Sequence, residues 1–146
     1  MNSVHVQDNL VISGSDDGVV TVWNMESDRK LWEFNHENSV LSMIVRDDWV
    51  ITCCKDKSVT VLHLDTGHEL HRLEHPSVCN NADLNPNKSL LAVACDSAVV
   101  VWDMKKQIKI GEFELAPEIR DLRFNPAGDK LIVGAFEGEI FEIAMK

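Results

Sequence analysis

The segment Ser15-Asp16-Asp17-Gly18-Val19-Val20-Thr21-Val22-Trp23 decides how this chain is read, because it recurs three more times. Its counterparts are Lys55-Asp56-Lys57-Ser58-Val59-Thr60-Val61-Leu62, Cys95-Asp96-Ser97-Ala98-Val99-Val100-Val101-Trp102 and Phe136-Glu137-Gly138-Glu139-Ile140-Phe141-Glu142-Ile143. An acidic turn residue stands at 17, 56, 96 and 137, in steps of 39, 40 and 41 residues, and a bulky residue follows at 23, 62, 102 and 143. Four registers that agree at this period mark a repeat architecture, in which each unit buries its faces against its neighbours.

Working outward, each copy divides into four short strands. In the second, Val40 to Val45 is followed by Asp47-Asp48, then Trp49 to Cys54, a Lys55 to Ser58 turn, Val59 to Leu64, Asp65-Thr66-Gly67, and Glu69 to Leu73. Runs of Val, Ile and Leu this short, separated by Asp, Gly, Asn and Ser, read as strands joined by tight turns. Asn85-Pro86-Asn87-Lys88 and Asn125-Pro126-Ala127-Gly128-Asp129 fill the same turn in the third and fourth copies, where proline presets φ and would be costly inside a central strand. No stretch keeps a helical apolar period, so the chain is all-β. Strands number four in each of three copies and three in the last.

These residues resemble the WD-repeat family of β-propellers over essentially the whole chain. Trp102-Asp103 matches the family's signature dipeptide, Asn125-Pro126-Ala127-Gly128 its strand-connecting turn, and Ser13-Gly14-Ser15-Asp16-Asp17-Gly18 its inner hairpin. The resemblance implies blades of four antiparallel strands, with expected limits at residues 1–38, 39–76, 77–117 and 118–146. The copies are degenerate. The signature pair reads Trp23-Asn24, Leu62-His63, Trp102-Asp103 and Ile143-Ala144, and the Gly-His pair becomes Asn35-His36, Glu74-His75 and Leu115-Ala116. The family's network of His, Ser or Thr, Asp and Trp carries over in part: His36, Thr52 and Asp56 in one copy, His75, Asp96 and Trp102 in the next. Such a partial network is expected to fix a loop to its blade.

Composition narrows the partners. The 146 residues are 45% hydrophobic and 26% charged, with a net charge of −10 and a mean hydropathy of −0.12, which excludes a disordered acidic tail. A surface this acidic repels phosphate, so neither nucleic acid nor anionic membrane is an expected partner. Half of the charge, −5, falls in residues 1–39, which points a basic partner toward Asp16 and Asp17. The longest apolar runs, Leu90 to Cys95 and Ala98 to Trp102, are far shorter than the roughly 18 residues of a membrane helix. Met1 to Leu10 shows neither a basic nor an apolar signal region, and the expected location is intracellular, in cytoplasm or nucleus. Cys53 and Cys54 point to opposite faces of a strand, and Cys79 and Cys95 lack C-x-x-C spacing, so thiols are expected rather than zinc or disulfides.

Catalytic templates fail. His63, His68, His71 and His75 cluster in sequence, but His68-Glu69-Leu70-His71 is not an H-E-x-x-H helix. His75 reads as a structural loop residue and the others as exposed. There is no phosphate loop and no G-x-S-x-G elbow. All seven glycines are assigned to turns, and Asp16-Asp17 to turn formation rather than acid–base work. No cofactor, metal or enzyme activity is expected.

A binding surface is what remains. In the family, the entry to the first strand of each blade and the residue before the hairpin Asp point to a partner-docking rim. On this chain those positions are Asp16, Ser39, Leu41, Lys55, Val78, Asn80, Cys95, Glu118, Arg120 and Phe136, with Arg120 and Phe136 as leading interface anchors. The expected function is a protein-interaction scaffold or adaptor within a larger complex. The alternative is a substrate receptor for a ubiquitin ligase, although Trp102-Asp103-Met104-Lys105 has Lys where the family's W-D-x-R motif has Arg. A last blade of three strands suggests the C-terminal part of a longer propeller, with the missing N-terminal blades as partners, against the alternative of a closed four-bladed ring.

Overall fold

The computed structural model describes residues 3–75, 77–95, 98–114, 119–136 and 138–144. They form fifteen strands and no helix, so none of them crosses a membrane as an apolar helix. In order these are β1 (Ser3–Gln7), β2 (Leu10–Gly14), β3 (Val19–Asn24), β4 (Arg29–Asn35), β5 (Val40–Arg46), β6 (Trp49–Cys54), β7 (Ser58–His63), β8 (Glu69–Glu74), β9 (Cys79–Leu84), β10 (Leu90–Cys95), β11 (Ala98–Asp103), β12 (Ile108–Glu114), β13 (Ile119–Phe124), β14 (Lys130–Ala135) and β15 (Ile140–Ala144). They pair as antiparallel sheets β1-β2-β3-β4, β5-β6-β7-β8, β12-β11-β10-β9 and β13-β14-β15. Each is a propeller blade, as the repeat predicts.

The chain divides into two compact units, residues 1–79 and 80–146. The first packs Ile12, Val20 and Val22 of one blade against Val40, Met43, Val50 and Leu62 of the next. Val20 and Val22 alternate along β3 because the period of two in a strand sends every second side chain to one face. Trp32 adds a polar tie by donating its Nε1–H to the Leu64 carbonyl at 2.6 Å. Its ring lies so close to Gly67 (φ +76°) that a Cβ there would sit 2.6 Å from it. The second unit packs Ala92, Ala94, Val99 and Val101 against Ile119, Leu122, Leu131 and Val133. There the Asp83 carboxylate accepts the Phe124 N–H at 2.8 Å.

The Asn-Pro turns form as read. Asn85 Oδ1 accepts from the N–H groups of Ser89 and Leu90, both at 2.9 Å, and Asn125 Oδ1 accepts from Lys130 N–H at 3.0 Å. Lys88 and Gly128 take the positive φ, +62° and +79°. The expectation that every glycine sits in a turn is corrected: Gly14, Gly111 and Gly134 lie in β2, β12 and β14. At Gly14 the reason is a close approach, since a Cβ there would meet Val40 Cγ1 at 2.9 Å. The cysteines are all buried thiols.

Gly18 (φ +86°) seats the first hairpin against the chain that leads into the second blade. A Cβ there would lie 2.6 Å from the His36 carbonyl oxygen and 2.7 Å from that of Asn38. Gly138 has a similar φ of +94° with open space around it. Gly18→Ala is therefore expected to cost at least about 1 kcal/mol more than Gly138→Ala, the excess being the clash rather than the backbone strain both share. Urea unfolding midpoints of the two variants check it.

Candidate protein-interaction site

The loop 36–39 joins the first two blades and is held from both sides. On one side, the His36 N–H donates to Gly18 O at 2.8 Å and Val40 N–H to Ser15 O at 3.1 Å, while Ser39 Oγ donates to Asp16 O at 2.7 Å. On the other, Lys55 N–H donates to Ser39 O at 2.8 Å and the Cys54 thiol to Asn38 O at 3.3 Å. Hairpin carboxylates stiffen both turns: Asp17 Oδ1 accepts from Ser15 Oγ and from Val19 N–H, and Asp56 Oδ1 from Ser58 N–H at 3.0 Å and Ser58 Oγ at 2.6 Å. Asp16, Ser39 and Lys55 are thus tied together by hydrogen bonds around this loop, with Asp16 and Lys55 exposed and Ser39 half-buried.

Leu41, two residues beyond this loop, lies at a bulge. Val40 pairs with Cys54 and Ser42 with Cys53, leaving Leu41 as the extra residue, and β13 repeats the device with Arg120 between Ile119 and Asp121. A bulge re-aims a side chain at the end of a sheet, so two predicted rim positions are bulge residues. Asn80 is exposed and Val78 half-buried, and Phe136 is 58% exposed. Glu118, Asp96 and the Arg120 side chain lie outside the described residues, so the Arg120–Phe136 pairing does too. Cys95 is corrected: it is 2% exposed and offers no rim surface.

Behind the rim, His36 (7% exposed) and Thr52 (0%) are buried, and His36 Nε2 lies 2.9 Å from Thr52 Oγ1. The Phe34 ring tilts against the imidazole, centroids 4.9 Å apart. Burial pushes the His36 pKa below its usual value, against the opposing pull of the Asp56 charge. Asp56 is half-buried and gives its Oδ1 to Ser58, so Thr52 is the hydrogen-bonding member and Asp56 acts through its field. His75 is buried at 7% and Trp102 half-buried. Among the other histidines only His68 is exposed as expected. His63 Nδ1 accepts from Asp65 N–H at 3.2 Å, and His71 packs edge-on to Trp49 with centroids 6.2 Å apart. Both are half-buried because each lies on a strand that packs into its sheet.

A feature not read from the sequence lies on the outer strands. In β4, β8 and β12 one residue, Leu31, Leu70 or Ile110, is the extra residue of a bulge, and each is at least 40% exposed. An ion pair spans each bulge: Lys30–Glu33 at 3.1 Å, Arg72–Glu69 at 3.0 Å and Lys109–Glu112 at 3.0 Å. Residues three apart on a regular strand point to opposite faces, so this spacing, repeated at one register, was the available signal for the bulges.

The repeat, the blades and the hairpins agree with the comparisons to known proteins. The model of the WD domain, G-beta repeat, matches residues 1–24 and 67–103. These matches support the WD-repeat family. Relatives of this chain include the small ribosomal subunit protein RACK1 of Caenorhabditis elegans, 31% identical over 118 residues, or 77% of this chain and 35% of that protein. RACK1 of Drosophila melanogaster is 27% identical over 115 residues, or 75% of this chain and 35% of that protein. The chain spans about a third of the length of these relatives. Among solved structures, the computationally designed Ika4 protein superimposes with a TM-score of 0.87 at 23% identity, covering 99% of this chain and 92% of that one. The designed Ika8 protein gives 0.88 at 24%, covering 97% and 45%.

Two outcomes are expected at the His36–Thr52 bond. His36→Ala and Thr52→Val each leave a buried polar partner unsatisfied and cost about 1–3 kcal/mol, while the double variant loses less than the sum of the two. Equilibrium urea unfolding reads this coupling. Because the folded His36 pKa is depressed, its contribution is complete above the unfolded value of 6.5 and is lost as pH falls from there toward the folded pKa. Unfolding midpoints at about pH 7.5 and about pH 5.5 should therefore differ more for the unmodified chain than for His36→Ala.

Proposed function

We propose that this chain is a non-catalytic protein-interaction scaffold, a subunit of a larger assembly, that presents the rim around Asp16, Ser39, Leu41 and Lys55 to other proteins. The observation that carries this reading is the double clamping of loop 36–39. Its backbone bonds to both hairpins hold a mixed surface of carboxylate, ammonium, hydroxyl and aliphatic groups in place before a partner arrives, which lowers the ordering cost of binding. Arg120 and Phe136 are its proposed counterparts at the fourth blade. Direct contacts are made with proteins rather than with nucleic acid or membrane, in keeping with the net charge of −10.

The relatives are small ribosomal subunit proteins by name, which makes that subunit the first assembly to test and the cytoplasm the proposed location. A substrate-receptor role in a ubiquitin ligase gains no support from them. Further blades of the same protein are proposed to cover the apolar faces on the first and fourth blades. The first blade exposes Val4, Val6 and Trp23 at 43% or more. The fourth has a hollow of about 210 Å³ lined in part by Leu122, Ile132 and Ile140.

Sedimentation of the tagged chain with purified small ribosomal subunits tests the proposal. The chain is expected to co-sediment, and Asp16→Lys combined with Lys55→Glu to weaken this about tenfold or more with the unfolding midpoint unchanged. Arg120→Ala with Phe136→Ala is expected to act in the same direction. Unaltered capture by both variants would remove the rim assignment, and a chain that joins no heavier assembly would remove the scaffold itself.

A further inference from the structure

The turn that leads into the outer strand of the third blade gathers cations in an otherwise acidic chain. Residues 104–111 carry Lys105, Lys106 and Lys109 with no carboxylate, the densest group of cations in a chain of net charge −10. All three lysines are exposed. Acids flank this group: Asp103 Oδ1 accepts from the N–H groups of Lys105 and Lys106 at 2.9 and 3.0 Å, Glu112 pairs with Lys109, and Glu114 stands at the far end of β12, which leaves Lys105 and Lys106 as the cations offered at the turn.

The same strand exposes more large apolar side chains than the other outer strands do. Ile108 is 50% exposed, Ile110 53% and Phe113 37%. In β4, Arg29 occupies the register position of Ile108, opposite Asn24 as Ile108 is opposite Asp103. Phe34, the counterpart of Phe113, packs into the core of its unit. The third blade has Gly111 where β4 has Trp32, and the Phe113 ring lies over it, 3.1 Å from where a Cβ would be. These differences leave Phe113, whose β4 counterpart packs inward, exposed on β12 together with Ile108 and Ile110, beside the Lys105-Lys106 turn.

We propose that Lys105, Lys106, Ile108, Ile110 and Phe113 form a second docking surface, for a protein segment that combines Asp or Glu with aliphatic or aromatic side chains. β12 ends its sheet, and the bulge at Ile110 breaks the regular row of backbone groups that strand addition needs. Recognition therefore rests on side chains: carboxylates on the ammonium groups, apolar groups on Ile108, Ile110 and Phe113. Charge complementarity selects a peptide over an anionic membrane. A short segment meets only the local field, because screening cuts interactions off at about 8 Å in physiological salt. A membrane surface extends past the patch to face the acidic remainder. The surface lies within residues 80–146 and the rim at Asp16 to Lys55 within residues 1–79, so each can fail without the other.

The test uses the full chain and two fluorescein-labelled peptides, one alternating Asp with Phe and one alternating Lys with Phe, read by anisotropy. The acidic peptide is expected to bind and the basic one not. Lys105→Glu with Lys106→Glu should weaken binding about tenfold or more at low salt and flatten its salt dependence, whereas Ile108→Thr with Ile110→Thr should weaken it about tenfold at every salt concentration. Circular dichroism verifies that both variants keep the fold, and Asp16→Lys with Lys55→Glu should bind the peptide unchanged. The proposal is overturned if the acidic peptide fails to bind, if both peptides bind alike, or if neither patch variant alters binding. It is equally overturned if phosphatidylserine vesicles bind the chain through these residues while the acidic peptide does not.

Discussion

The clamp on loop 36–39 is the constraint on which the first unit depends. A four-stranded blade with one apolar face cannot bury that face by itself, so its stability comes from the neighbour it is stacked against. The path between blades must then satisfy every backbone group it takes out of water. Here Gly18 O and Ser15 O accept from His36 and Val40, and Ser39 O accepts from Lys55, so the connection is bonded to the hairpin behind it and the one ahead. Val40 enters the core as a direct result, with its methyl group against Gly14.

The buried His36–Thr52 bond works with that clamp. Thr52 sits at the centre of β6 with 0% exposure, where an unbonded hydroxyl would be costly. His36, drawn inward by the bond of its own N–H to Gly18 O, supplies the partner. Burial keeps the imidazole neutral against the field of Asp56, whose carboxylate is occupied in forming its own turn with Ser58. The degenerate repeats therefore keep the parts of the network that hold loop to sheet, while Leu62, in the place of Trp, serves the hydrophobic core.

Bulges give the blades their individuality. In β5 and β13 they leave Leu41 and Arg120 as extra residues of the register, and at the outer strands they put Leu31, Leu70 and Ile110 into solvent. An outer-strand bulge also interrupts an edge that would otherwise be open to unwanted pairing. The ion pair across each one uses a charged residue on both sides of the extra position. On β12 the same scaffold keeps its ion pair, Lys109–Glu112, but exposes Ile108 and Ile110 beside it, which separates that blade from the two before it.

Much of this was legible in the residues. The four hairpin segments, the Asn-Pro turns and the alternation of Val, Ile and Leu determined strands, turns and blades, because side-chain direction in a strand and φ in a tight turn are local properties. The burial of His36 beside Thr52 was legible only through the family resemblance. The exposure of His63 and His71 was misjudged, and so was that of Cys95, because burial depends on which sheet face a residue meets. The sequence by itself determined the repeat and the blade. Only the tertiary structure decided which side chains are tied around loop 36–39, where each bulge falls and which partner His36 takes, since those depend on pairing register and on contacts between residues 16 to 41 positions apart in the chain.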